Sequence, residues 1–378
     1  MKCVIFCHAI TSCWNNGNAH FLRGVTRELA QLGHEVVVYE PRDGWSRLNA
    51  ISDGGEGALQ KAASMLRDVC IRQYVESELD LDEAMAGADL VVAHEWNTPE
   101  LIGRLGRIRA NGASFRLLFH DTHHRAITAP GEFAAFELDG YDGALVFGET
   151  LREVYLRRDL AHRVFTWHEA ADTALFRPLP NVDKDWDLVW IGNWGDDERS
   201  AELREFLIEP SVQLALRARV HGVRYPDSAR AILETYGLNY AGWLPNHDAP
   251  LAFAQGRLTV HIPRGPYVRA LPGIPTIRVF EALACGIPLI CSPWSDVEGL
   301  FRPGCYVSVS NGQEMSTAIF DLLHDEDRRA ELVQTGLGCI RDSHTCRHRA
   351  VELIRISEAV AARICNSPTQ ANREVALQ

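Results

Sequence analysis

The chain has 378 residues, 46% of them hydrophobic and 23% charged, which is too long for one ordinary core and fits two domains. Its formal charge of -12 argues against a duplex nucleic acid partner, which calls for a basic patch or balance, and no run is long and apolar enough to span a membrane. Ten cysteines form no C-x-x-C pair, so the usual zinc spacing is missing and reduced, buried thiols are expected.

Val4–Cys7 reads as a buried first strand rather than a signal peptide, because Asn15-Asn16-Gly17-Asn18 offers no small-residue cleavage site; a cytoplasmic protein is expected. Phe21, Leu22, Val25, Leu29 and Leu32 then share one helical face, and Gly33 stops that helix before a strand at Glu35–Tyr39. Further strands are expected at Leu90–Ala93, Phe115–Phe119, Ala144–Phe147 and Val164–Trp167. Asp80-Leu-Asp82 matches a metal-binding D-x-D only by composition, since it precedes a helical stretch instead of ending a strand.

The pattern restarts after Phe176-Arg-Pro-Leu-Pro180, the best linker in the chain. Strands follow at Leu188–Ile191, Ala218–His221, Leu258–Ile262, Pro288–Cys291 and Tyr306–Val309, with helices near 197–208, 226–236, 275–285 and 311–323. Short apolar runs alternating with amphipathic helices predict an α/β fold of two Rossmann-like domains facing each other across a cleft, with ligand at the strands' carboxyl ends. The expected boundaries are 1–178, 179–340, a helix over 341–366 that packs back on the first domain, and a loose tail over 367–378.

Three segments carry chemistry. Ile191-Gly192-Asn193-Trp-Gly-Asp-Asp-Glu-Arg199 ends a strand in a glycine turn before a helix start near Asp197, a geometry that suits a pyrophosphate with Arg199 in the first helical turn as its counter-ion. Pro275-Thr276-Ile277-Arg278 opens another helix, with Pro275 in its first turn, the amides of Thr276 to Arg278 toward the cleft and Gly286 at its end. Glu281 sits on the Arg278 side of that helix, where a carboxylate can accept both ribose hydroxyls. Gly242-Trp-Leu244 forms a loop at the same edge, where Leu244 could rest against a base or join the core.

Arg278-Val-Phe-Glu-Ala-Leu-Ala-Cys-Gly-Ile-Pro288 resembles the donor-site signature of GT-B glycosyltransferases, and within them the spore-maturation-protein-like (CgeB-like) members of the family-four relatives. The 191–199, 240–244 and 168–178 segments are similar to that family's phosphate loop, base loop and interdomain segment. The resemblance implies a sugar transfer from a nucleotide diphosphate-sugar, UDP-sugar favoured over GDP- or TDP-sugar, without a metal or a tightly bound cofactor. It implies ribose binding by Glu281, phosphate binding by Arg199, base contact through the Leu244 backbone, and an asparagine, Asn193, where many relatives have arginine. Many relatives also carry a glutamate eight residues before the Glu281 position; here it is Gly273.

The acceptor and any base are expected on the N-terminal half. His8 and Gly17-Asn18 follow the first strand; His120-Asp121 and His123 follow the strand at 115–119, and His120-Asp121 resembles the family's H-D pair. His120 is the expected proton acceptor, with Asp121 beside it. His120 and His124 have metal-ligand spacing, but His123 and His124 are expected to point apart and no third ligand is evident. The acceptor class stays open among glycan, lipid, small molecule and protein, with peripheral membrane contact an option for the arginine clusters at 104–116 and 152–163. A dehydrogenase is set aside because no G-x-G-x-x-G follows the first strand; an epimerase and an inactive nucleotide-sugar-binding protein remain alternatives. Glu281→Ala is expected to weaken nucleotide binding and leave folding intact.

Overall fold

The computed structural model describes residues 1–195 and 198–366. Seven parallel strands form the first sheet: β1 (Lys2–Phe6), β2 (Glu35–Pro41), β3 (Cys70–Tyr74), β4 (Leu90–His94), β5 (Arg116–Asp121), β6 (Gly143–Val146) and β7 (Val164–Thr166), in spatial order 3-2-1-4-5-6-7. Six more form the second: β8 (Trp186–Ile191), β9 (Ala218–His221), β10 (Asn239–Tyr240), β11 (Gly256–His261), β12 (Leu289–Cys291) and β13 (Val307–Ser308), in order 10-9-8-11-12-13. The first six strands of each sheet follow the same winding, so the chain is a twin Rossmann-like α/β protein.

Alternation along the central strands builds both cores. On β1, Cys3 and Ile5 face one helical layer, while Val4 and Phe6 face the other. The register fixes this, with Val4 opposite both Val37 of β2 and Val91 of β4. All four residues are buried, as a strand covered on both faces requires. β3 is an edge strand whose Arg72 and Gln73 are exposed, and it carries no apolar run for a sequence reading to find.

Each sheet reverses its winding at its first strand: β1 lies between β2 and β4, and β8 between β9 and β11. A crevice opens beyond the carboxyl ends at such a reversal. The helix Asn18–Gln31 leaves β1 and the helix Ile277–Cys285 precedes β12, and both begin at the cleft. The last helix, Cys346–Asn366, packs against Asn18–Gln31 and β5. Trp167 Nε1 donates to the Arg349 carbonyl at 3.0 Å. The two crossings between the units run side by side: the Ala171 amide donates to the His344 carbonyl and the Cys346 amide to the Ala171 carbonyl, each at 2.9 Å. Residues 367–378, expected to be loose, lie outside the described residues, as does the predicted helix start near Asp197. Among the described residues no helix is long and apolar enough to cross a membrane.

Candidate active site

The carboxyl ends of the two sheets face each other across a cleft of about 850 Å³. The N-terminal wall is aromatic. His8 follows β1, Trp45 follows β2, Trp96 follows β4 and His123 follows β5, and all four line the cleft. The His8 ring stacks on Trp45 (centroids 5.5 Å apart, planes 16° apart) and lies 5.9 Å from Trp96 at 51°. Arg125 covers Trp96 with its guanidinium carbon 4.3 Å from the ring centroid, and it bonds to the buried Glu95. Burial, helped by the Arg125 charge, lowers the His8 pKa to about 4. Burial also lowers that of His123 to about 2, with His124, Arg125 and Arg264 adding to the effect. Both imidazoles are therefore neutral at pH 7.

His120 and Asp121 stand elsewhere than expected. Side chains alternate along a strand, and His120 falls on the face that packs against the helices. Its ring is fully buried between Trp167 (4.8 Å), His94 (4.9 Å) and Phe21 (6.2 Å), and it does not line the cleft. Burial lowers its pKa to about 3. Asp121 is buried too; it accepts the Tyr155 hydroxyl at 2.6 Å and the His123 amide at 2.9 Å. It holds the His123 backbone in place from behind the wall and does not reach an acceptor. The rings of His123 and His124 do not point apart; they lie 4.0 Å from each other.

On the opposite wall Gly192 and Asn193 follow β8, as expected, and both line the cleft. Arg199 also lines it but differs from the predicted counter-ion in two ways. It is the N-cap of the helix that begins at Ser200, not a residue of its first turn. Its guanidinium is turned inward, donating to the Ile262 carbonyl at 2.9 Å and to the Asn193 backbone and side-chain oxygens, and it lies over Trp190. Burial pulls its pKa down to about 10, which leaves it charged. Asn193 thus braces Arg199 with its oxygen while its Nδ2 donates to Asn15 of the other unit at 2.7 Å. Leu244 lines the cleft and Gly242 lies behind it, its carbonyl accepting the Gly222 amide at 2.8 Å.

The helix Ile277–Cys285 presents its N-terminus to the cleft through Thr276, Ile277 and Arg278. First-turn amides lack intrahelical partners and carry the positive end of the helix dipole. Thr276 is the N-cap, so Pro275 precedes the helix instead of opening it; Gly286 closes it at φ 66°. Glu281 is on the Arg278 side, as read, and bonds to it, but it is fully buried and not open to the cleft. Its other oxygen lies 2.7 Å from Nδ1 of the equally buried His20, on the first unit's helix. Removing Glu281 therefore perturbs the junction of the two units as well as any ribose contact. A Cβ at Gly17 would stand 2.8 Å from Ile277 Cγ2, so glycine there lets the first loop reach the helix Ile277–Cys285. Gly273 has φ +89°, and a Cβ there would meet Val297 Cγ2 at 2.3 Å.

Besides the tryptophans of the N-terminal wall, Glu169 and His261 are cleft residues that escaped the sequence reading. Glu169 is buried beside Asn18, whose Nδ2 donates to it at 3.1 Å. Burial, and then the Glu281 charge, raise its pKa to about 8 against the pull of Arg278. Its signal was a carboxylate in the interdomain segment 168–178. His261 ends β11, with Nε2 3.0 Å from the Thr276 hydroxyl and Nδ1 without a partner among the described residues. Among the described residues no three His, Cys, Asp or Glu side chains are grouped to hold a metal ion. Asp80 is occupied as a helix cap, accepting the Glu83 amide at 3.0 Å.

Residues 199–355 match a family model described as glycosyl transferase-like. No curated protein matches the chain in sequence. Among solved structures it is similar to sucrose-phosphate synthase from Thermosynechococcus elongatus, at 15% identity and TM-score 0.66 over 96% of this chain and 100% of that one. It is similar to Anabaena HepE in complex with UDP and glucose, at 12% identity and TM-score 0.65 over 97% and 100%. It is also similar to T4 phage BGT in complex with UDP and Mn2+, at 13% identity and TM-score 0.60 over 95% and 99%. The fold is GT-B.

Proposed function

We propose that the protein is a metal-independent glycosyltransferase that takes a sugar from a UDP-sugar and passes it to an acceptor hydroxyl, with residues 179–340 binding the donor and 1–178 the acceptor. The carrying observation is the N-terminus of the helix Ile277–Cys285, which opens through Thr276, Ile277 and Arg278 on the same cleft as the neutral imidazoles of His8 and His123. The glycosyl transferase-like match over 199–355 supports the class, and the UDP named in the HepE and T4 phage structures supports the base. The run Arg278–Pro288 supports the spore-maturation-protein-like (CgeB-like) group within it.

In the reaction the bond from the anomeric carbon to the diphosphate oxygen breaks and a bond to the acceptor oxygen forms. The helix amides and Arg278 stabilise the charge that collects on the departing diphosphate. Arg199 acts one layer back, fixing the Gly192–Asn193 loop. His123, in place of His120, lines the acceptor side of the cleft as a neutral imidazole and is the group proposed to take the hydroxyl proton. The diphosphate's negative charge raises the imidazole's basicity when it binds.

Calorimetric titration with UDP, GDP, TDP and ADP, with and without a chelator, tests the assignment. Chelator-insensitive UDP binding that is lost in Arg278→Ala is expected. NAD is titrated beside them, and binding of NAD alone, or of no nucleotide, refutes the assignment. Consumption of UDP-sugar with a new sugar epimer and no acceptor required would make the protein an epimerase instead.

A further inference from the structure

We infer that the acceptor is a carbohydrate, whose ring rests on the tryptophan faces of the N-terminal wall and whose hydroxyls serve the buried polar groups beside them. This rests on the transferase reading and narrows it to one acceptor class.

The wall combines two features that few ligands satisfy together. The first is exposed aromatic surface inside a cleft: Trp45 is 40% and Trp96 36% exposed, and both line it. Large aromatic side chains left open in a concave site mark a binding face. The second is a set of buried polar atoms without partners. His8 is only 6% exposed, yet neither of its ring nitrogens has a hydrogen-bond partner among the described residues. Asn16 Nδ2 and Asn18 Oδ1, in the loop that leads into the first helix, are in the same condition, and both residues line the cleft. A buried polar group without a partner costs about 1–3 kcal/mol, so the site is built to be completed.

The unpartnered atoms are of both kinds. Asn16 offers a donor, Asn18 an acceptor, and a neutral imidazole one of each. Hydroxyl groups donate and accept, so a polyol matches the whole set. A lipid chain could cover the tryptophans but would seal these atoms unpaired. A flat aromatic acceptor fits the ring geometry poorly. Trp45 already carries His8 on one side, Trp14 meets Trp45 edge-on at 79°, and Trp96 stands 51° from His8. No parallel pair is left to sandwich a planar ring. A pyranose instead sets its C–H face on one aromatic face, whose negative quadrupole attracts those hydrogens, and its equatorial hydroxyls reach walls set at an angle.

The test titrates the UDP-saturated protein with methyl pyranosides and β-linked trisaccharides of glucose, galactose, mannose and N-acetylglucosamine. 4-Nitrobenzyl alcohol and phosphatidylglycerol vesicles serve as the competing probes. At least one saccharide should bind, at least tenfold more weakly to Trp96→Ala and to His8→Ala, with Trp96→Phe retaining most of the affinity. UDP affinity in each variant reports folding and the donor site, and the saccharide titrations are repeated without UDP, so a wild type that binds no UDP refutes the transferase reading while the saccharide result still stands or falls by itself. The inference is overturned if every saccharide fails, if vesicles or the aromatic alcohol bind instead, or if the variants hold saccharide affinity within twofold.

Discussion

Restoring the missing glutamate at position 273 should damage the protein rather than improve it. Gly273→Glu puts a side chain on a residue at φ +89°, where an L-residue costs about 1–3 kcal/mol. The new Cβ would also stand 2.3 Å from Val297 Cγ2. Val297 is 63% exposed and can turn its side chain away, so relief of this contact costs only about 1 kcal/mol, at the low end of overpacking. The sum is about 2–4 kcal/mol. Urea denaturation would measure it, with UDP calorimetry in parallel. In Gly273→Glu/Val297→Ala the contact part returns and the backbone part does not, leaving a deficit of about 1–3 kcal/mol. An unchanged midpoint in the single variant, or tighter donor binding, would show that the loop accepts a glutamate and that the backbone reasoning is wrong.

Other outcomes follow from the burial of charged and titratable groups. Glu281→Ala should lower stability by about 2–4 kcal/mol, because it strips His20 and Arg278 of a shared partner; calorimetry and urea melts should both move, and an unperturbed melt would put Glu281 back in the cleft. For His120, whose pKa falls from 6.5 to about 3 on folding, the native state resists a proton that the unfolded chain accepts, so stability is lost as pH drops below about 6.5. His120→Leu should therefore lose about 2 kcal/mol less than wild type between pH 7 and pH 5, and its transferase activity should persist; equal slopes in the two proteins would contradict this. Glu169 has the opposite sign. Its pKa rises from 4.5 to about 8, so its contribution is complete below pH 4.5 and disappears as pH climbs toward 8. Glu169→Gln should gain roughly 2–4 kcal/mol relative to wild type on going from pH 5 to pH 8, read by thermal melts at the two values.

The strands that reach the cleft were legible because burial on both faces writes them as apolar runs; β1, β4, β8 and β11 all fall within two residues of their predicted limits. The helix Ile277–Cys285 was legible from its punctuation, with Gly286 after it, although Pro275, read as part of its first turn, stands just before it. What lay beyond the sequence was direction. His120 and His123 sit three positions apart, one on the helical face of β5 and the other past its end, and nothing in F-H-D-T-H-H-R states which of them meets the cleft. The same holds for Arg199, where the residue type was read but not the inward turn that gives it to Asn193 and Ile262. Trp45 and Trp96 are separated by fifty residues, and only the parallel order of β2, β1 and β4 brings them to one wall.

The paired crossings at Ala171 and Thr345 decide how the cleft can breathe. A single tether would let one unit swivel freely against the other. Here two neighbouring segments are laced together by backbone hydrogen bonds, like a door hung on two adjacent pins. Twisting and sliding would shear the lacing, whereas bending about an axis through it leaves the bonds intact. A swing of one unit against the other would therefore have to bend about this lacing, and it would also have to part the buried Glu281–His20 contact and the Asn193–Asn15 bond across the cleft.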